Sequence, residues 1–287
     1  MSIRKILVPV SGEDGDAVAL SAALKLAERF GAQIEALHVQ ASGDAALPFL
    51  GDTASGAVIE EIIDRIEEEA KKRAAKARSG FDKWREKAGL PEGAKPGGIS
   101  ASAVYRQETG DRDGLLGLHA RCSDLIVVRA ATSEDDAAVA ADIEVILMGS
   151  GRPVLLVPAE LSPNFANKVV AAWNDSVESA RALAAALPLL EKADSVTVAS
   201  VSTGEKDTPD LEMVSQYLTA HGIAASTTVI EAGDEEISDV LIQHARRHDG
   251  ALLVMGAYSH SRLREQVLGG VTQDILDFTE IPVLLIH

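Results

Sequence analysis

The residues best suited to chemistry fall in one stretch, 255–272, which reads MGAYSHSRLREQVLGGVT. Gly256 closes an apolar run of strand length, where a missing side chain lets backbone approach a ligand. Gly269 and Gly270 open a helical pattern, and the first amides of a helix have no intrahelical partner and favour phosphate. Ser259 and Thr272 could add hydroxyl donors. His260, inside the glycine-bounded loop, could approach a phosphate or a ribose. Arg262 and Arg264 could offset negative charge in an acidic chain. Tyr258 either covers such a site or packs beneath it. Composition alone leaves a purely structural turn just as open, because glycines are common in loops that follow strands.

Elsewhere the chemistry is sparse. The sequence contains no G-x4-G-K-(S/T), hence no phosphate loop of that type and no lysine for a γ-phosphate. It contains no G-x-S-x-G nucleophile elbow. Cys122 is the only cysteine, so no intrachain disulfide can form, which suits a reducing compartment. A free cysteine is usually a small buried or half-buried residue, and Cys122 is expected to be one; His119, three positions earlier, is a weak helical partner. His244 and His248 lie four apart and would share a helix face at metal-ligand spacing. Arg246 and Arg247 stand between them and no third ligand is evident. The expectation is a solvated face and no metal site.

The elements that position these residues come as an internal repeat. Residues 4–10 (RKILVPV) parallel 168–173 (KVVAAW), and each run leads through a polar turn into an Ala/Leu-rich helical pattern. Residues 124–128 (DLIVV) parallel 251–255 (ALLVM), and 152–157 (RPVLLV) parallel 281–286 (IPVLLI). From Lys5 to Pro153 is 148 positions and from Lys168 to Pro282 is 114, an excess of 34 in the first half. A Gly/Ala/Ser-containing loop near 41–55 and a long helix near 56–88 account for most of it. Ile59, Ile63, Ile66, Ala70, Ala74, Ala77, Phe81 and Trp84 recur every three or four residues along that helix. Its alternating charges read as a solvated face, with a protein-binding extension as the lesser option. Residues 158–167 (PAELSPNFAN) join the halves.

Each half therefore alternates strands with helices, and its strands are apolar on both faces, as in parallel sheets covered by helices. The expected fold is α/β: two Rossmann-like domains, 1–160 and 167–287, each a five-stranded, mainly parallel sheet flanked by helices. Ligands in such folds bind beyond the carboxyl ends of the strands.

Composition narrows the function. The chain has 287 residues with 27 Lys plus Arg against 44 Asp plus Glu, a formal net charge of −17. That balance disfavours nucleic acid, whose phosphates need cations, and at 3% aromatic residues little is left for base stacking. No run approaches the roughly 18 apolar residues of a membrane span. The N-terminus carries no signal-peptide pattern, so a cytoplasmic location is expected.

Taken together, these residues resemble a tandem universal stress protein, with two UspA-like domains in one chain covering about 3–160 and 167–287. The nucleotide-binding members carry G-x2-G-x9-G-(S/T) after the fourth strand. Here Gly256, Ser259 in the second glycine's place, nine residues and then Gly269 fit that frame, while Gly270 replaces the Ser/Thr and Thr272 lies two further on. The resemblance implies that an Asp at the end of the first strand meets the adenosine; the matching positions here are Ser11 and, in the second half, Asn174, which can both donate and accept. It likewise places Val201 (Val39 in the first half) along the adenine. In the first half, residues 129–132 (RAAT) replace the opening of the motif and Glu134, Asp135 and Asp136 follow, charges that repel a triphosphate.

The resemblance thus implies a stress-response regulator binding ATP (or ADP or AMP) in its second half, with magnesium as an optional companion. Asn174, Val201, Gly256, Ser259, His260, Gly269, Gly270 and Thr272 would hold it. No catalytic acid–base pair is evident, so an enzyme is not expected, although slow ATP hydrolysis stays open. The alternative is a nucleotide-free scaffold acting through a protein partner. The last strands of the two halves resemble those that pair between domains in the family, giving an intramolecular pseudo-dimer and leaving a homodimer open.

Overall fold

The computed structural model describes residues 2–40, 56–93, 100–131, 137–204, 209–248, 251–258, 270–277 and 279–287. Its elements follow the alternation expected from the sequence. The first repeat holds β1 (Lys5–Pro9), α1 (Asp16–Phe30), β2 (Gln33–Gln40), α2 (Gly56–Lys87), β3 (Ser102–Thr109), α3 (Arg112–Arg121), β4 (Leu125–Arg129), α4 (Ala137–Ser150) and β5 (Val154–Val157). The second holds β6 (Lys168–Ala172), α5 (Val177–Leu190), β7 (Ser195–Ser202), α6 (Leu211–Ala220), β8 (Ala225–Glu231), α7 (Ile237–Arg246), β9 (Ala251–Gly256), α8 (Gly270–Asp277) and β10 (Val283–Ile286). The protein is α/β, with mostly parallel strands flanked by helices.

The chain packs as two compact units, Ile3–Val127 and Val128–His287, the latter with Met1–Ser2. In the first the strand order is β3-β2-β1-β4, all parallel. In the second it is β5-β10-β9-β6-β7-β8, parallel except between β5 and β10. These packing units differ from the sequence repeats because β5, the last strand of the first repeat, pairs antiparallel with β10: Val283 opposes Leu156 and Leu285 opposes Val154. Those short apolar strands are wholly buried, and the pairing covers an edge each would otherwise expose.

Burial on both faces explains the continuous apolar strands. Ile6, Leu7 and Val8 are buried in β1, as are Leu252, Leu253 and Val254 in β9. Helix α1 stops at Gly31, whose left-handed φ of 65° is open to glycine and whose N–H returns to Ala27 O. Helix α3 starts at Asp111, whose carboxylate accepts from Gly114 N at 3.1 Å. On α2, Ala70, Ala74, Ala77 and Phe81 are buried as the periodicity requires, and the rings of Phe81 and Tyr105 meet at 5.5 Å. Trp84, Ile63 and Ile66 are half-buried, and the side chain of Ile59 and the loop 41–55 lie outside the described residues. Burial pushes the Tyr105 phenol up to about 12. Lys71–Glu67 and Lys72–Glu68 decorate the outer face, where such pairs contribute little.

One charged cluster is internal. Glu35 on β2 is buried and meets Lys5 Nζ at 3.2 Å, Arg106 Nε at 3.5 Å and His119 Nδ1 at 2.8 Å. His119 therefore partners a carboxylate rather than Cys122. Cys122 itself is exposed, contrary to the buried or half-buried position expected. It follows the last residue of α3 as its C-cap, and a helix end at the surface leaves the thiol in solvent.

Candidate functional site

The carboxyl edge of the second unit's parallel strands carries the site residues that the structure describes. Strand β6 lies between β7 and β9, with Ala172 opposite Ala199 and Ala171 opposite Val254. Continuing those registers sets Asn174 level with Val201, and Trp173 level with Gly256. Residues distant in sequence thus meet at one edge, the place where open α/β sheets bind ligands. Asn174 is exposed and Val201 half-buried.

Local chemistry fixes the loop after β6. Asp175 adopts a left-handed φ of 60°. Asn174 Oδ1 accepts from Ser176 Oγ at 2.6 Å and from Ser176 N at 3.4 Å, as an Asx-type turn does. Ser176 and Ser179 then form a reciprocal capping box at the start of α5. The Asn174 carbonyl oxygen is thereby engaged within its own loop.

Gly256 has a packing role. A Cβ there would stand 2.6 Å from the Glu178 Cβ, 2.5 Å from the Glu178 carbonyl carbon and 2.7 Å from Ser179 N, so the first turn of α5 rests directly on the end of β9. The sequence marks this glycine as special, and the contact it serves in the structure is with a helix.

Beyond Gly256 the chain turns sharply. Ala257 N donates to Ile286 O at 2.8 Å, and Tyr258 takes a left-handed φ of 57°. Tyr258 N donates to Thr272 Oγ1 at 3.1 Å, and Thr272 is buried. That bond joins the end of β9 to α8 (Gly270–Asp277). Thr272 Oγ1 is the acceptor in this bond, which a hydroxyl can be while still donating its own O–H. His287 Nδ1 donates to Ala257 O at 3.2 Å, and its ring meets that of Tyr258 edge-on at 6.0 Å. Sequence reasoning missed His287, because no local pattern announces a contact across thirty positions. Ser259, His260, Arg262, Arg264 and Gly269 lie outside the described residues.

The corresponding edge of the first unit is organised around an internal anion. The Asp16 carboxylate accepts from Ser11 N at 3.1 Å, Gly12 N at 2.7 Å and Ser11 Oγ at 3.1 Å. Burial pushes this carboxyl up, against those hydrogen bonds. Gly12, with φ 89°, packs under α2, where a Cβ would stand 2.9 Å from Arg73 O. His38 Nδ1 donates to Val10 O at 2.8 Å, and burial pulls its imidazole down. The amides that follow β1 are thus already satisfied by a carboxylate. Residues 132–136, including Glu134, Asp135 and Asp136, lie outside the described residues.

His244 and His248 do not form the solvated face expected. Both are half-buried, and their rings meet at 5.4 Å. Among the described residues, no three His, Cys, Asp or Glu side chains are grouped to hold a metal. No helix among them is long and apolar enough to cross a membrane.

A repeated α/β unit with the strand order 3-2-1-4 defines a class of doubly wound proteins built on parallel sheets. The sequence matches the universal stress protein family twice, over residues 2–159 and 166–287, and the chain belongs to that family. It is similar in structure to a universal stress protein from Archaeoglobus fulgidus DSM 4304, at 17% identity and a TM-score of 0.69, over 99% of this chain and 96% of that one. A putative universal stress protein from Pseudomonas aeruginosa UCBPP-PA14 aligns at 16% identity and a TM-score of 0.56, over 99% of this chain and 93% of that one. No curated protein matches the sequence.

Proposed function

We propose that this universal stress protein binds an adenine nucleotide, ATP or its products ADP and AMP, at the carboxyl edge of β6, β7 and β9. Binding would make it a cytoplasmic stress-response sensor or regulator rather than an efficient enzyme. The observation that supports this reading is the adjacency of β7, β6 and β9, whose carboxyl ends carry Val201, Asn174 and Gly256, with the Thr272–Tyr258 bond tying α8 to the end of β9. The amides at the start of α8, with Gly269 and Gly270, would receive phosphate. Ser259, His260 and Thr272 would supply polar contacts, Val201 an apolar wall, and Asn174 a base or ribose contact through its amide. Magnesium could accompany a triphosphate. The first unit would bind none, its loop amides being committed to Asp16. The repeats, 1–160 and 167–287, would act as an intramolecular pseudo-dimer, with a homodimer of chains as a further level.

A second reading has its own support. The Asn174 oxygen is engaged by Ser176, and Gly256 has a packing role that needs no ligand. Those observations favour a nucleotide-free scaffold acting through a protein partner. Native mass spectrometry of the purified full chain, followed by titration with ATP, ADP and AMP, separates the two. One nucleotide per chain, lost when Gly269 is replaced by a bulky residue in a protein that still melts cooperatively, is the expected result. No binding and no thermal shift at millimolar nucleotide would replace it with the scaffold reading. Two nucleotides per chain would overturn the assignment of the first unit.

A further inference from the structure

We propose that β8, the edge strand of the second unit, pairs antiparallel with β8 of a second copy of this chain, joining two sheets across a two-fold axis. That surface accounts for the homodimer of chains raised above and involves no nucleotide contact. A chain that stays monomeric would leave the nucleotide reading untouched.

Strand β8 (ASTTVIE) has β7 on one side, in unbroken register from Val196–Ala225 to Ser202–Glu231. Among the described residues, no strand pairs with its other side. A strand at a sheet edge turns alternate N–H and C=O groups outward, a template for another strand, and proteins blunt such edges with charge, proline, a bulge or a covering segment. The edge strand of the first unit uses two of these devices. Residues 91–93 lie along the start of β3, with Gly93 N donating to Ala103 O at 3.0 Å, and β3 carries Arg106 and Glu108. Strand β8 has neither proline nor bulge, and its one charge is the terminal Glu231.

The uncharged surface extends to α6, which packs on β8. Residues 213–230 contain no Asp, Glu, Lys or Arg, although these make up 25% of the chain. Burial does not explain the gap: Met213 is 70% exposed, Tyr217 39% and Val229 41%, and Ser226 and Thr227 are exposed as well. Loss of charge with Met and aromatic side chains retained is the composition of an interface core. The same feature selects the occupant. Each chain carries a net charge of −17, so two copies repel unless they meet where neither is charged. A cationic partner would find its counter-charges elsewhere on this protein.

The strand is also self-complementary. With Thr228 on the axis, Thr227 lies opposite the partner's Val229, Ser226 opposite the partner's Ile230 and Ala225 opposite the partner's Glu231. Thr227 and Val229 make a β-branched cross-strand pair. The two Glu231 carboxylates fall at opposite ends, ~20 Å apart at ~3.4 Å per residue, where salt screens their repulsion. An axis normal to the sheet sets both α6 helices on the same face, one on each side of the junction. One seven-residue strand is a small contact, which fits a reversible dimer.

The test is sedimentation equilibrium of the nucleotide-free full chain from about 1 to about 200 μM. Wild type should pass reversibly from monomer to dimer. Raising NaCl from about 50 to about 500 mM should tighten the dimer, because screening relieves the repulsion of two acidic chains. Thr227→Lys with Val229→Lys sets lysines opposite each other across the axis and should weaken the dimer by about tenfold or more. Both positions are exposed, and a cooperative melt checks the fold of the variant. Gln107→Lys with Thr109→Lys adds the same charge on β3 and should dimerise as wild type does. In a Cys122→Ser background, Thr228→Cys should form an intermolecular disulfide on mild oxidation, because facing residues of an antiparallel pair stand within disulfide reach. A wild type that is monomeric at about 200 μM would overturn the proposal. A dimer that salt dissociates, or that the β8 lysines leave intact, overturns it too, since ion pairs or another face would then hold the copies together.

Discussion

The backbone of Gly256 abuts that of Glu178: a Cβ on Gly256 would stand 2.5 Å from the Glu178 carbonyl carbon and 2.7 Å from Ser179 N. Backbone cannot yield as a flexible side-chain tip can. Gly256→Ala must push α5 away from β9, and the expected cost is about 1–3 kcal/mol, the range for overpacking a tight core. Urea unfolding of nucleotide-free protein measures it. Wild-type stability in that variant would show that the end of β9 has room to spare.

The Glu35 cluster governs behaviour in acid. Burial alone would raise this carboxyl, but the His119 hydrogen bond and the Lys5 charge outweigh it and hold it below its ordinary 4.5. A depressed carboxyl contributes stability that is present above the ordinary value and lost as pH falls through the lowered one. Glu35→Gln should therefore cost about 2–3 kcal/mol at pH 7, less than a fully buried broken pair because Lys5 and Arg106 reach solvent. The gap between wild type and variant should close as pH drops below 4.5. A gap that is flat across pH 3–7, measured by chemical denaturation, would show that the charge of Glu35 is not what stabilises the cluster.

Asp16 has the opposite sign. Its carboxyl is raised above its ordinary 3.8 by burial, so the folded protein holds this proton more tightly than the unfolded chain does. Stability from this group is complete below that value and declines as pH rises through the raised one. Asp16→Asn keeps an oxygen for the Ser11 and Gly12 amides and removes the titration. Relative to wild type, the variant should gain stability as pH rises from 3.8, ending within about 1 kcal/mol of wild type or above it at pH 7. A difference that stays constant with pH contradicts this account.

Much of the fold was legible because buried parallel strands leave a strong local record. The runs 6–8 and 252–254 are apolar without alternation, and the resemblance of β5 and β10 to the strands that pair between domains in the family anticipated their pairing. The α2 stripe through Ala70, Ala74, Ala77 and Phe81 was visible for the same reason, an apolar period matched to a helix. What stayed hidden was non-local. Glu35 collects partners from β1, β3 and α3, and nothing in the residues around it marks a charge as internal. Gly256 was conspicuous as a glycine, yet only the position of α5 gives the reason. The capture of the Ser11 and Gly12 amides by Asp16 depends on how a loop closes, which composition does not encode.

Cys122 shows the same limit at a single residue, and its exposure has a direct consequence. An exposed thiol at a helix end should react with one equivalent of a disulfide reagent in the native protein, without prior unfolding. Cys122→Ser should abolish the reaction and leave stability within about 0.5 kcal/mol, the usual range for surface changes. Reaction only after denaturant is added would mean that the thiol is covered.

The Thr272–Tyr258 bond offers the sharpest separation between the two functional readings. Thr272→Val removes the acceptor of a bond at a buried position, leaving the Tyr258 N–H without it, and should cost about 1–3 kcal/mol. Thr272→Ser keeps the oxygen and should cost less, chiefly for the lost methyl. If the start of α8 receives phosphate, Thr272→Val should also weaken ATP binding, because the bond fixes that helix relative to β9, while Thr272→Ser retains most of the affinity. Stability and affinity would then move together across the series. If the protein is a scaffold, only stability moves, and the affinity for ATP is absent in all three. A Thr272→Val protein that keeps wild-type affinity despite its lost stability would remove the bond from the binding mechanism and leave it a structural clasp.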